Sequence, residues 1–234
     1  MSNIRLNAYR FNGQDYSFVN PINVGGAPVD ADWSRWAMLY STQTSQGTEL
    51  FRLYCFKKDT NDTIYQFGFN AGAGLYEYGY QSIPTLKITG VGPTCNTSTF
   101  NMLHDGESYR MYFQDSHNHA VLHQFVWNGR EYQVENRTPT LNIQGIPANA
   151  DMRKTAMLFA KGSNQPGYHF YTVAQGTNAP LIQFKFDPSA RAYVRINDVA
   201  LNVVTPSGSN FAMANQAGDG AYWFYFLEGP GTVA

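Results

Sequence analysis

Charge is scarce in this chain, and the scarcity narrows what it can do. Of 234 residues only 14% are Asp, Glu, Lys or Arg, against roughly 25% in ordinary globular chains. The net charge is -1, so there is no basic stripe to neutralise a phosphate backbone, and nucleic acid is disfavoured as a partner. Cysteine is nearly missing: Cys55 sits in a strand-like run and Cys95 is expected in a loop, a placement that favours free thiols over a disulfide or metal pair. No run approaches the ~20 apolar residues of a membrane-spanning helix. The opening Met1-Ser2-Asn3-Ile4-Arg5-Leu6 lacks the apolar stretch of a signal peptide, so the expected location is the cytoplasm, with secretion by another route open. There is no Gly-x-Ser-x-Gly elbow, phosphate loop, His-Glu-x-x-His or dinucleotide fingerprint, and the expectation is a protein that is not an enzyme.

What the chain has in quantity is aromatic side chains, 15% of residues, within a 43% hydrophobic composition. A chain of this length and composition can bury a sizeable core as one domain, here expected to cover residues 1–234. The clearest stretch runs from Met102 to Gly129, where three short apolar runs are separated by turns that include Asp105-Gly106. It ends at Asn128-Gly129. Asp-Gly and Asn-Gly tolerate positive φ, and between alternating apolar residues they signal antiparallel hairpins.

That meander recurs. Its first run reappears around Met38, Met102, Met157 and Met213, at spacings of 64, 55 and 56. A second run carries Tyr54, Tyr112, Tyr171 and Tyr225, and a third carries Tyr9, Phe67, Phe125 and Phe184, spaced by 58, 58 and 59. A fourth repeats as Ile22-Asn23-Val24, Leu86-Lys87-Ile88, Leu141-Asn142-Ile143 and Leu201-Asn202-Val203, alternating at the strand period of two. The chain enters at a third run and stops after a second, so the N-terminal strands are expected to complete the unit begun at Phe211. Such sharing hides sheet edges that would otherwise stand open.

Four copies of about 58 residues, each with a small residue beside the Met (Ala37, Asn101, Ala156, Ala212) and an aromatic hairpin, resemble a four-bladed β-propeller of hemopexin-like architecture. The resemblance spans residues 4–228 and implies an all-β fold of four four-stranded blades; no cysteine pair clamps its ends. A trefoil or sandwich is the alternative, and neither explains a fourfold repeat. Propellers host unrelated activities, so the resemblance implies no function. The repeated Met residues fill irregular gaps between blades on this reading.

Three sets of residues are candidates for chemistry. Six residues before each Met stand Asp32, Asn96, Asp151 and Ser207, placed by the repeat in the connections between blades. They either cap turns by bonding their own backbone or form a ring of hard oxygen ligands for calcium or another cation at the channel mouth; no cofactor is required. Two residues before each repeated Tyr stand Arg52, Arg110, His169 and Trp223, on the same sheet face as the tyrosines. They either stack within the fold or meet a sugar ring or an anion. Trp33, His117 and Asn128 are read as exposed loop contacts. His117, His119 and His123 do not have zinc-ligand spacing and are read as a solvated loop.

Aromatic faces suit the apolar side of a pyranose and amides its hydroxyls. The composition therefore points to a non-enzymatic carbohydrate-binding module, taking a neutral or weakly charged glycan at repeated sites. The alternative is a protein-interaction scaffold in a toxin, adhesion or defence system. Oligomeric state is open.

Overall fold

A computed structural model describes residues 4–11, 16–41, 50–160, 166–176, 180–199, 211–215 and 222–228. Among them are eighteen β-strands and no helix. In chain order, β1 (Ile4–Phe11) and β2 (Tyr16–Gly25) precede a first group, β3 (Ala31–Ser41), β4 (Leu50–Lys57), β5 (Thr63–Asn70), β6 (Leu75–Tyr78) and β7 (Thr85–Thr89). A second group holds β8 (Cys95–His104), β9 (Tyr109–Asp115), β10 (Val121–Trp127), β11 (Tyr132–Val134) and β12 (Thr140–Gln144). The third holds β13 (Ala150–Ala160), β14 (Gly167–Ala174), β15 (Leu181–Asp187) and β16 (Ala192–Val199), and β17 (Phe211–Asn215) and β18 (Tyr222–Glu228) follow.

Within each group the paired strands run antiparallel. The Asp-Gly and Asn-Gly turns behave as their chemistry requires: Gly106 and Gly129 sit at φ of 98° and 97°, where a β-carbon would be strained. The first and last described strands share a sheet. β1 pairs antiparallel with β18, from Arg5 opposite Glu228 to Arg10 opposite Trp223, and with β2 on its other side. This closing group, β17-β18-β1-β2, is the sharing anticipated from where the repeat is cut.

The first strands β3, β8, β13 and β17 neighbour one another in a cycle. Short parallel bridges join the outer strands of adjacent groups, β2 to β6, β7 to β11 and β12 to β16. All described strands thus belong to one mixed, ring-like sheet.

Because alternate side chains leave a strand on opposite faces, each group has two faces, and the core is the set of junctions between them. One cluster joins the first and second groups, with Ala37, Leu39, Tyr54 and Phe56 against Phe100, Met102, Met111 and Phe113. Others join second to third, third to closing and closing to first. Met38, Met102, Met157 and Met213, each 1% or 2% exposed, project from one group against small or aliphatic residues of the preceding one. They are gap-fillers between groups. The same four also line a space of about 10 Å³ beside His104 at the ring's centre. The run Leu201-Asn202-Val203 lies outside the described residues.

Candidate functional site

The second and third groups do not close completely. Between them lies a cavity of about 170 Å³ lined by Arg110, Tyr112, Gln124, Thr138, Leu141, Tyr168, Phe186 and Tyr193. The strand period explains the lining: Arg110 and Tyr112 share one face of β9, and Tyr168 is on the face of β14 that meets it. Phe186 and Tyr193, with ring centroids 5.5 Å apart, contribute aromatic wall.

Arg110 is held in place before any ligand arrives. Its Nε donates to Asp105 Oδ2 at 2.9 Å, and the Tyr168 hydroxyl donates to the same oxygen at 2.7 Å. Asp105 Oδ1 accepts the backbone N–H groups of Glu107 and Ser108, so the turn fixes the carboxylate that fixes the arginine. Arg110 Nη1 also lies 3.6 Å from Glu135 Oε2. Burial pushes the Asp105 carboxyl up, but hydrogen bonds from Arg110, Ser108, Tyr168 and Glu107 outweigh it and hold the group at about 2. Burial, with the Asp105 charge, pushes the Tyr168 hydroxyl up to about 12. Arg110 stays charged, with its pKa raised: burial lowers it and Asp105 more than compensates. Gln124 is anchored at both ends, its side-chain Nε2 donating to Thr138 O at 3.3 Å and its backbone N–H to Pro139 O at 2.8 Å.

The equivalent positions at the other junctions are spent differently. Arg52 is 7% exposed and donates to the carbonyls of Tyr80 and Gln81 at 2.8 and 2.7 Å, which cap its guanidinium with backbone. It passes over Gly68, where a β-carbon would collide with Arg52 Nη1 and Tyr80 O. His169 is 1% exposed; its Nδ1 lies 2.9 Å from the Gln183 amide nitrogen and its ring stacks on Tyr171. Trp223 stacks on Tyr225 and carries Arg10 over its face at 5.8 Å. The repeated cationic and aromatic set is therefore four unlike junctions, of which the second-to-third opens onto a cavity.

The remaining sequence candidates lie apart from this cavity. Trp33 is in β3, not in a loop, and half-buried with its ring 5.3 Å from that of Phe67. Its run is strand because the first strand begins before the Met repeat, at a bulge. His117 is exposed in a turn, its N–H bonded to Asp115 Oδ1 and its Nδ1 3.2 Å from Ser116 Oγ. Asn128 Oδ1 accepts the N–H groups of Arg130 and Glu131, both at 2.9 Å, and is a turn cap.

Asp32, Asn96 and Asp151 also belong to strands, β3, β8 and β13, and not to the connections. Each marks a bulge, where the pairing register slips, and each side-chain oxygen accepts the N–H two residues on, from Ser34, Ser98 and Arg153. Both carboxylates are also taken by arginine: Arg35 Nε donates to Asp32 at 2.6 Å and Arg153 Nε to Asp151 at 3.0 Å. Ser207 lies outside the described residues. Among the described residues no group of three or more His, Cys, Asp or Glu is placed to hold a metal, and no helix is long and apolar enough to cross a membrane.

Asp105, Tyr168, Gln124 and Thr138 are not among the candidate site residues that the sequence marks. One signal was present: the residue before each of the repeated Arg52, Arg110, His169 and Trp223 is aromatic, namely Phe51, Tyr109, Tyr168 and Tyr222. That aromatic points to the preceding group, and so supplies the far wall of its neighbour's junction.

No protein-family model and no curated protein matches the chain. Solved structures similar to the chain share little sequence with it. AofleA from Arthrobotrys oligospora matches at 12% identity and TM-score 0.40, over 88% of this chain and 52% of that one. The fucose-specific lectin of Aleuria aurantia matches at 13% and 0.40, over 99% and 80%. A Bacteroides uniformis structure described as a 6-phosphogluconolactonase matches at 10% and 0.34, over 92% and 58%. The chain spans about half the length of AofleA. At these identities no function is carried across.

Proposed function

We propose that this chain is a four-bladed β-propeller whose four antiparallel groups are the blades, and that the junction between the second and third binds one residue of a neutral glycan without transforming it. The observation that supports the reading is the cavity at Arg110, where aromatic rings and fixed hydrogen-bonding groups face one another. A pyranose needs that pairing, because one of its sides is apolar while its rim is all hydroxyl. The space of about 170 Å³ is below the roughly 300 Å³ at which pockets for drug-sized ligands begin, which suits a single sugar ring.

The charge around Arg110 speaks to the kind of sugar. One guanidinium faces two carboxylates, Asp105 and Glu135, so the local sum is one positive and two negative charges. Arg110 is therefore a held donor and not a free anion receptor, and an acidic sugar would meet net negative charge. Among the described residues the four junctions differ, so the reading rests on the second-to-third junction and not on the repeated weak sites expected from the repeat alone. A partner-protein surface is the alternative reading, and the exposed large apolar side chains among the described residues are Phe18, Val19, Val29, Ile83 and Ile196.

Calorimetric titration with neutral and acidic monosaccharides tests the reading. Binding of a neutral sugar, lost in Arg110→Ala and kept in Arg52→Ala, supports it. A blank across a broad glycan array at high protein concentration sends the assignment to the scaffold.

A further inference from the structure

The four junctions can be compared position by position where the first and second strands of neighbouring groups meet. Between the first and second groups, Ala37 and Phe56 face Phe100 and Phe113. Between the third and closing groups, Ala156 and Val173 face Phe211 and Phe226. Between the closing and first groups, Ala212 and Leu227 face Trp36 and Cys55, the thiol acting as a small hydrophobe. These three junctions are apolar at every one of the four positions.

The second-to-third junction is polar at all four. Asn101 and Gln114 share a face with Leu103 and Tyr112, and Thr155 and Thr172 share the opposing face with Met157 and Phe170. Their exposures are 3%, 0%, 0% and 0%. Asn101 Nδ2 donates across the junction to Thr155 Oγ1 at 2.9 Å, and also to Thr99 O at 2.9 Å. Thr172 Oγ1 donates to Asp151 O at 2.7 Å. The Gln114 backbone N–H is bonded to Thr99 Oγ1, but neither Oε1 nor Nε2 of its side chain has a partner among the described residues.

An amide side chain brings two donors and an acceptor, and buried polar groups are satisfied by protein or by ordered water in the great majority of folded proteins. We infer that this junction encloses an internal hydration site: ordered water bonded to the Gln114 amide, between the polar walls of the second and third groups. A buried water typically makes about three hydrogen bonds, and only this junction supplies polar side chains at all four positions to share them. The site is separate from the sugar cavity, being one strand repeat further along β9 than Tyr112, and it does not depend on the proposed function. It also marks the pair of groups that belong side by side, because pressing the Gln114 face against any of the three apolar faces would leave the amide dry.

The test uses the whole chain. A crystal structure at about 1.5 Å or better should show water at hydrogen-bonding distance, about 2.7–3.2 Å, from Gln114 Oε1 or Nε2. In ¹⁵N-labelled protein, the Gln114 side-chain NH₂ should show a cross-relaxation peak to water that marks a long-lived bound molecule. Gln114→Leu assigns that signal by its loss, and selective glutamine labelling assigns it should the variant fail to fold. An amide bonded directly to Asn101, Thr155 or Thr172, or one with neither density nor a water cross-peak, overturns the inference.

Discussion

Arg110 of the second group and Tyr168 of the third bond the same oxygen, Asp105 Oδ2, at 2.9 and 2.7 Å. One carboxylate thus ties a cation from its own group to a hydroxyl from the next, and the geometry of the cavity follows from that tie.

Acid should loosen it. Asp105 ionises at about 2 in the fold against 3.8 ordinarily, so the charged form is favoured by folding. The stabilisation is complete above pH 4 and is lost as pH falls toward 2, with a magnitude of about 2 kcal/mol. Thermal melts between pH 2 and 5 should fall less steeply for Asp105→Asn than for the parent, and equal slopes would place the acid sensitivity elsewhere.

The two repeated arginines should separate binding from stability. Arg110→Ala should weaken a neutral sugar by about tenfold or more, the range of a hydrogen bond to a charged group. Arg52→Ala should leave binding alone but strand the carbonyls of Tyr80 and Gln81, costing about 2 kcal/mol and roughly 4–8 °C in melting temperature. An Arg52 variant that melts with the parent contradicts this.

Gly68 is the small residue that lets Arg52 through. Gly68→Ala should cost about 1–3 kcal/mol by overpacking, and part of that cost should be relieved in an Arg52→Ala background, where the Nη1 contact is gone while the nearer contact with the Tyr80 backbone oxygen stays. Additive losses in the double variant would separate the two residues.

Calcium at the channel mouth is a proposal that competes with two ion pairs. Arg35 and Arg153 hold the carboxylates of Asp32 and Asp151, and a cation would have to displace both. The expected outcome of calcium titration by calorimetry is no heat. Heat that disappears in an Asp32→Ala, Asp151→Ala double variant would establish the cation instead.

Much of this architecture is written in periodicity. The spacing of Met38, Met102, Met157 and Met213 marks the first strands, and the alternation around Tyr112 tells which side chains share a face. What periodicity does not carry is how far a neighbouring segment reaches. Arg52 and Arg110 occupy the same place in the repeat, yet a loop through Tyr80 covers one while Thr138 leaves the other open. Trp33 was misplaced for a related reason: the bulge at Asp32 breaks the alternation, so the start of β3 does not look like strand. Asp105 was legible only as a turn residue, because its second role depends on Tyr168, 63 residues away.

The pairing of β1 with β18 has a kinetic side. During synthesis β1 leaves the ribosome before the other described strands and its partner comes more than 200 residues later, a wait of roughly ten to forty seconds at bacterial to eukaryotic elongation rates. Through that interval the β18-facing edge of β1, with Ile4, Leu6 and Ala8 beside it, has no partner strand, and edges of that kind invite pairing with other chains. Ring closure is also the most non-local strand pairing among the described residues, the sort that slows folding most. Deleting β1 should therefore abolish the cooperative melt, and supplying it as a separate peptide should restore the melt in proportion to peptide concentration.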